Sequence, residues 1–149
     1  MSADLPDPYL VVDASVSLKW ALNDEDAVEQ AIALRDDALA GQFQMVAPSL
    51  WLYEITNGLV TAVRRARLAP DLGAQMLDLL QALGVCMVDP SSADVYQQSL
   101  HYGIAAYDAA YLALAEALGA PLWTGDHRFY ETVRNTTRLI HWIGDYGST

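Results

Sequence analysis

Carboxylates gathered without lysine or arginine partners repel one another, and a divalent cation is the usual compensation. Four acidic residues of this chain have settings suited to such a gathering. Asp13 follows the apolar run at 9–12, Glu54 lies inside a helical pattern, Asp108 opens an apolar helix, and Asp126 stands just past Leu122-Trp-Thr124. In a chain with 19 Asp+Glu none is unusual by itself. Their contexts point together to metal-dependent chemistry on phosphate.

Each acid also has a structural reading. Asp13 directly precedes a helical stretch, so a helix N-cap accounts for it, and Ser15 serves equally as a cap or as a hydroxyl beside a metal. Around Glu54, Leu52, Ile55, Leu59 and Val63 share the core-facing side, while Glu54, Asn57, Gly58, Thr61 and Arg65 form the neighbouring stripe. A solvated face explains that stripe. Its small polar residues also suit a groove, where Asn57 and Thr61 orient Glu54 or touch a substrate. Asp108 starts Tyr107-Asp-Ala-Ala-Tyr-Leu-Ala-Leu-Ala115, apolar on nearly every side. A carboxylate on so apolar a helix is costly without a partner, which favours function over a first-turn dipole contact. Asp126 follows Gly125, and Gly-Asp is ordinary turn chemistry. A metal-facing role is equally open to it, with His127 an exposed loop residue and Arg128 near phosphate.

Other chemistries are disfavoured. Asp13 lacks the Asp-x-Asp-x-Thr pattern of an aspartyl-phosphate enzyme, since position 15 is Ser. His101 and His141 have no zinc-ligand spacing. Cys86, the single cysteine, excludes an internal disulfide and reads as a buried small hydrophobe. The N-terminus has no basic start or apolar core of a signal peptide, and no apolar run is long enough for a bilayer. A cytoplasmic protein with no membrane association is expected. The net charge of -11 counts against a broad nucleic-acid surface, because phosphate contacts are usually basic. Bound cations would offset part of that charge.

These residues must be positioned by an α/β fold. The 149 residues and 53% apolar content fit one domain, with 1–8 expected as a flexible N-terminal segment. Short apolar runs at 9–13, 45–47, 85–88, 122–124 and 139–142 predict strands. Helices are predicted at 14–22, 25–39, 49–67, 70–83, 92–101 and 107–118. Alternation of this kind predicts a three-layer α/β/α sandwich around a mostly parallel four- to five-stranded sheet. Ligands of such sheets bind outside the carboxyl ends of the strands, where Asp13 and Asp126 stand.

Taken in order, Val11-Val-Asp-Ala-Ser-Val-Ser-Leu-Lys-Trp20, Tyr53-Glu-Ile-Thr-Asn57, the segment from Tyr107 to Ala115, and Trp123-Thr-Gly-Asp-His-Arg-Phe129 resemble the PIN-domain nucleases. The resemblance is nearest to the VapC-type toxin ribonucleases and covers almost the whole chain. It implies a PIN-like fold and RNA phosphodiester hydrolysis dependent on Mg²⁺ or Mn²⁺, leaving 5′-phosphate and 3′-hydroxyl ends. By resemblance Asp13, Glu54, Asp108 and Asp126 form the catalytic and metal-binding quartet, with Asp13 and Asp108 the foremost ligands. Thr124 matches a supporting hydroxyl, beside Ser15 and Asn57. Lys19, Arg64, Arg65 and Arg128 are the candidate RNA contacts. The resemblance further implies a homodimer restrained by a cognate antitoxin, with Trp20, Trp51 and Leu52 as exposed apolar candidates for protein contact.

Two other readings fit the same acids. Another metal-dependent phosphohydrolase would be separated by a panel of phosphomonoesters. A non-catalytic acidic pocket for a basic partner segment would be separated by its failure to bind Mg²⁺ or Mn²⁺.

Overall fold

In the computed structural model residues 8–148 are described. The expected flexible stretch 1–8 therefore lies, apart from Pro8, outside the described residues. Five strands form one sheet: β1 (Tyr9–Val12), β2 (Gln44–Ala47), β3 (Cys86–Met87), β4 (Leu122–Thr124) and β5 (Ile140–Trp142). Every pairing is parallel and the order is β3-β2-β1-β4-β5. The chain builds outward from β1 to β3, then returns to place β4 on the other side of β1. The order reverses between β1 and β4, and that is where such sheets open a crevice.

Alternation along β1 explains the layers. Leu10 and Val12 enter a core with Val16, Ala31, Leu34, Met45 and Ile143. Val11 points the other way, into a larger core with Ile55, Leu59, Tyr111, Leu112 and Phe129. A strand buried on both faces needs a continuous apolar sequence, which Tyr9-Leu-Val-Val12 supplies. Helix α2 (Val28–Leu39) covers the first face. On the second lie α3 (Leu50–Arg64), α4 (Pro70–Gln81), α5 (Ser92–Tyr102), α6 (Ala106–Leu118) and α7 (His127–Val133). The three-layer sandwich is thus present.

Local chemistry sets the ends of these helices. Pro70 occupies the first turn of α4, where its missing N–H has no cost. The Ser91 side chain accepts from Asp94 N at 3.1 Å and caps α5. Helix α6 stops at Gly119, whose φ of 61° suits the left-handed turn that follows. Its residues Ala109 to Ala115 are all buried, so small side chains let it lie closely against the sheet.

The observed elements depart from expectation in three places. The predicted helix at 14–22 is a single α-turn, α1 (Ala14–Ser17), followed by a 3₁₀ turn at Leu18–Trp20. The predicted helix from residue 25 begins at Val28, after Ala27 at φ 58°. Helix α7 was not expected, and it begins at His127, so that residue stands in a first turn rather than a loop.

Candidate active site

The crevice between β1 and β4 collects its residues from four parts of the sequence. Asp13 ends β1 and is 7% exposed. It occupies the N-cap position of α1, yet its side chain makes no capping bond. Instead Oδ2 accepts from Ser15 Oγ at 2.8 Å and from Thr124 Oγ1 at 2.6 Å. Those hydroxyls are fixed in turn: Ser15 Oγ accepts from Gly125 N at 2.8 Å, and Thr124 Oγ1 from Asp126 N at 3.0 Å. Both protons are thereby aimed at Asp13. Two backbone amides act through two hydroxyls to orient one carboxylate.

Gly125 is the hinge of this network. A Cβ there would meet Lys19 Cε at 2.8 Å, with Ile143 and the Ser15 carbonyl close behind. A side chain there would have to displace the Lys19 tail, while Ile143 and the Ser15 carbonyl stand at ordinary contact distance. Asp126 follows as the N-cap of α7, its Oδ1 accepting from Phe129 N at 3.1 Å. Asp126 thus caps α7 with one oxygen, where a turn was one expectation, and also lines the crevice.

Glu54 lies half-buried on α3, and its Oε1 accepts from the Tyr111 hydroxyl at 2.6 Å. Tyr111 is fully buried on α6, and its oxygen also accepts from Ala14 N at 3.4 Å. One phenol thus joins α3, α6 and the end of β1. It was not among the expected site residues. The available signal was its place three positions after Asp108, which puts a polar tip on the same face of an apolar helix. Asp108 sits in the first turn of α6, half-buried and without a capping bond.

Crowding shows in the acidities. Burial raises Asp13 above the usual Asp range, opposed by the bonds from Thr124 and Ser15, and the charge of Asp126 raises it further. Glu54 is pushed up to about 7, chiefly by burial and then by Asp13, Asp108 and Asp126, while the Tyr111 bond holds it down. Asp108 reaches about 6 through burial and the charges of Asp13 and Asp126, with Arg128 partly compensating. Asp13, Glu54 and Asp108 each feel the charge of at least one other acid across a common space.

That space is a cleft of about 580 Å³ lined by all four acids together with Ser15, Leu18, Asn57 and Gly58. None of the four forms an ion pair among the described residues. No three His, Cys, Asp or Glu side chains among those residues stand close enough to grip one ion directly. The donor set nevertheless suits Mg²⁺ or Mn²⁺: hard oxygen ligands, unneutralised charge, and room for the waters that Mg²⁺ retains. Glu54 and Asp126 each have one oxygen engaged by a protein donor. The other carries no protein donor among the described residues.

The basic residues fall differently. Arg128 shares a smaller recess with Asp108 and Asp126. Arg64 and Arg65 lie at the far end of α3, about 15 Å along the helix from Glu54. Lys19 is a correction: it is 7% exposed and donates from Nζ to the Asp26 carbonyl at 2.6 Å. A buried ammonium with a structural acceptor does not face RNA.

The apolar candidates also need correction. Trp51 is 2% exposed and donates from Nε1 to Ser17 Oγ. Trp20 donates to the Ala31 carbonyl, and Trp20 and Leu52 are both partly buried against the core. Cys86 is partly exposed rather than buried. No helix among the described residues is long and apolar enough to cross a membrane.

Comparison with known proteins places this geometry in a wider context. The sequence profile described as PIN domain matches residues 10–135. The chain is similar to Ribonuclease VapC3 of Pyrobaculum aerophilum, 34% identical over 126 residues, covering 82% of this chain and 92% of that protein. It is also similar to VapC ribonuclease Mb0985 of Mycobacterium bovis, 33% identical over 123 residues, covering 83% and 90%. Among solved structures, PAE2754 from Pyrobaculum aerophilum superposes with a TM-score of 0.67 at 23% identity. That superposition covers 91% of this chain and 88% of the other, a likeness of fold.

Proposed function

This chain belongs to the PIN-domain family and, within it, to the VapC-type ribonucleases, and from that premise we propose how it works. It is a metal-dependent endoribonuclease, the toxin of a toxin–antitoxin pair. The observation that carries the site assignment is the convergence of Asp13, Glu54, Asp108 and Asp126 on one cleft without a salt-bridge partner. In this reading all four are the catalytic and metal-binding residues, and the cofactor is Mg²⁺ or Mn²⁺. When bound, the cation supplies Lewis-acid stabilisation of charge on the phosphate oxygens.

The protein's own groups do the rest. Asp13, oriented by Ser15 and Thr124, and Asp108 on α6 would be the foremost residues to hold the cation. Glu54, whose Oε1 is engaged by Tyr111, uses Oε2 to orient water for in-line attack and to accept its proton. The new P–O bond forms as the bond to the 3′-oxygen breaks, leaving a 5′-phosphate and a 3′-hydroxyl. Arg128 meets the phosphate beside Asp108, and Asn57 borders the strand's path. Arg64 and Arg65 extend contact toward distal phosphates.

The same reading includes a cytoplasmic setting, an antitoxin that closes the cleft, and a homodimer. The exposed Tyr96 and Leu100 of α5 support apolar association. The test is direct. Purified Asp13→Asn and Asp108→Asn should stay folded and lose RNA cleavage in Mg²⁺. Full activity in both would sink the assignment.

A further inference from the structure

We propose that the cleft grips single-stranded RNA chiefly through its bases, stacked on Tyr53 and Tyr107, rather than through its phosphates. This rests on the ribonuclease reading and deepens it by saying how an acidic protein holds RNA. The first observation is a shortage of available cations. Of 8 Lys+Arg, Lys19 is buried against a carbonyl. Arg35 pairs with Asp36, Arg67 with Asp24 and Glu25, and Arg134 with Glu131. Arg64, Arg65, Arg128 and Arg138 remain without an ion pair among the described residues. Of these, Arg128 is the one that shares a recess with candidate acids, while no Lys or Arg lines the cleft itself.

The second observation is where the exposed aromatic surface lies. Tyr53 is 78% exposed and Tyr107 69%, and both line the cleft that holds the four acids. Each directly precedes a candidate acid, Glu54 on α3 and Asp108 on α6. Two rings therefore stand on two different helices at the rim of one site. Large aromatic side chains left so open lose apolar burial, and a nucleobase restores it. Every base has a π-face, so stacking binds RNA with little sequence demand and with no positive charge. Asn57, exposed on the same side of α3, adds a hydrogen-bonding amide.

The experiment uses the full chain in Mg²⁺ with a short single-stranded oligoribonucleotide, reading KM and kcat separately. Tyr53→Leu and Tyr107→Leu should each raise KM roughly tenfold, about 1.4 kcal/mol, with a smaller change in kcat. Tyr53→Phe and Tyr107→Phe should restore KM, because they keep the ring. With cleavage blocked by Asp13→Asn, binding should weaken with salt at a slope of about -2 or shallower, as expected for no more than three phosphate contacts, from Arg128, Arg64 and Arg65. Thermal melts should be unchanged, since both side chains are exposed. Folded Leu variants with wild-type KM would overturn the inference and leave the ribonuclease reading intact, as would a slope of about -5 or steeper. A change in oligomeric state without a change in KM would instead make these rings a protein contact. A wild-type chain that cleaves no RNA defeats the underlying reading, and this inference with it.

Discussion

Neutralising Asp108 should stabilise the metal-free protein while abolishing its activity. Its carboxyl is raised from 3.8 to about 6 by burial, then by Asp13 and Asp126. An acid whose folded value is raised holds its proton more readily folded than unfolded. Stability is therefore full below about pH 4 and falls as pH climbs through 6. Two units correspond to about 3 kcal/mol at 1.36 kcal/mol each. Asp108 is only half-buried, so solvent screening reduces this to about 1–1.5 kcal/mol. Asn has nearly the same shape and no charge, so Asp108→Asn should recover that amount. For a chain of this size the gain is roughly 2–6 °C in melting temperature. The assay is thermal melting of both proteins with a chelator, at about pH 8 and about pH 5. The variant should melt higher at pH 8, keep about half of that advantage at pH 5, where the unfolded carboxyl is still ionised, and draw level with wild type only below about pH 4. Adding Mg²⁺ at pH 8 should raise the wild type and leave the variant nearly unchanged. A variant no more stable than wild type at pH 8 without metal would refute the claim that burial and neighbouring acids make the Asp108 charge costly in the folded protein.

Tyr111→Phe removes the hydroxyl that holds Glu54 Oε1 while keeping the buried ring. Cleavage should fall roughly tenfold in kcat with little change in KM, and the kinetic pH profile should shift upward, because the lost bond is what holds Glu54 down. An unchanged profile would show that the phenol does not govern Glu54. Lys19→Met should cost about 1–3 kcal/mol in chemical denaturation, since the Asp26 carbonyl loses its donor. RNA affinity should hold, and a matching loss of affinity would return Lys19 to the binding surface.

Much of this arrangement is legible in the sequence because parallel sheets write their strands as plain apolar runs. Leu122–Thr124 is found where it was expected, and β1, β2, β3 and β5 differ only at their ends. Asp13 and Asp126 were legible at strand ends, Asp108 in a first turn, and Glu54 beside a polar helix stripe. What escaped depended on partners distant in the chain. Asp13 looks like a cap locally, and only the Thr124 hydroxyl, 111 positions away, reveals why it does not cap. Trp51 looks like surface until Ser17 supplies a buried acceptor for its indole. Lys19 looks like a phosphate contact until the chain folds back to offer the Asp26 carbonyl. Helix α7 was hidden by Gly125-Asp126, which reads as a turn. Phe129 and Val133, four apart and both buried, were the periodic sign of it.

The placement of β4 beside β1 also governs when this enzyme comes into being. Asp13 is made first, and its orienting Thr124 follows 111 residues later. At about 5–20 residues per second, synthesis separates them by roughly 6–20 s. Through that interval β1 has β2 for a neighbour and an open edge on its other side. Long-range pairings of this kind close late in folding, after the helices and local turns. A nascent chain that stops short of β4 therefore carries Asp13 without the hydroxyl that orients it. The cleft that gathers those acids is complete only once β4 has been translated and has paired with β1.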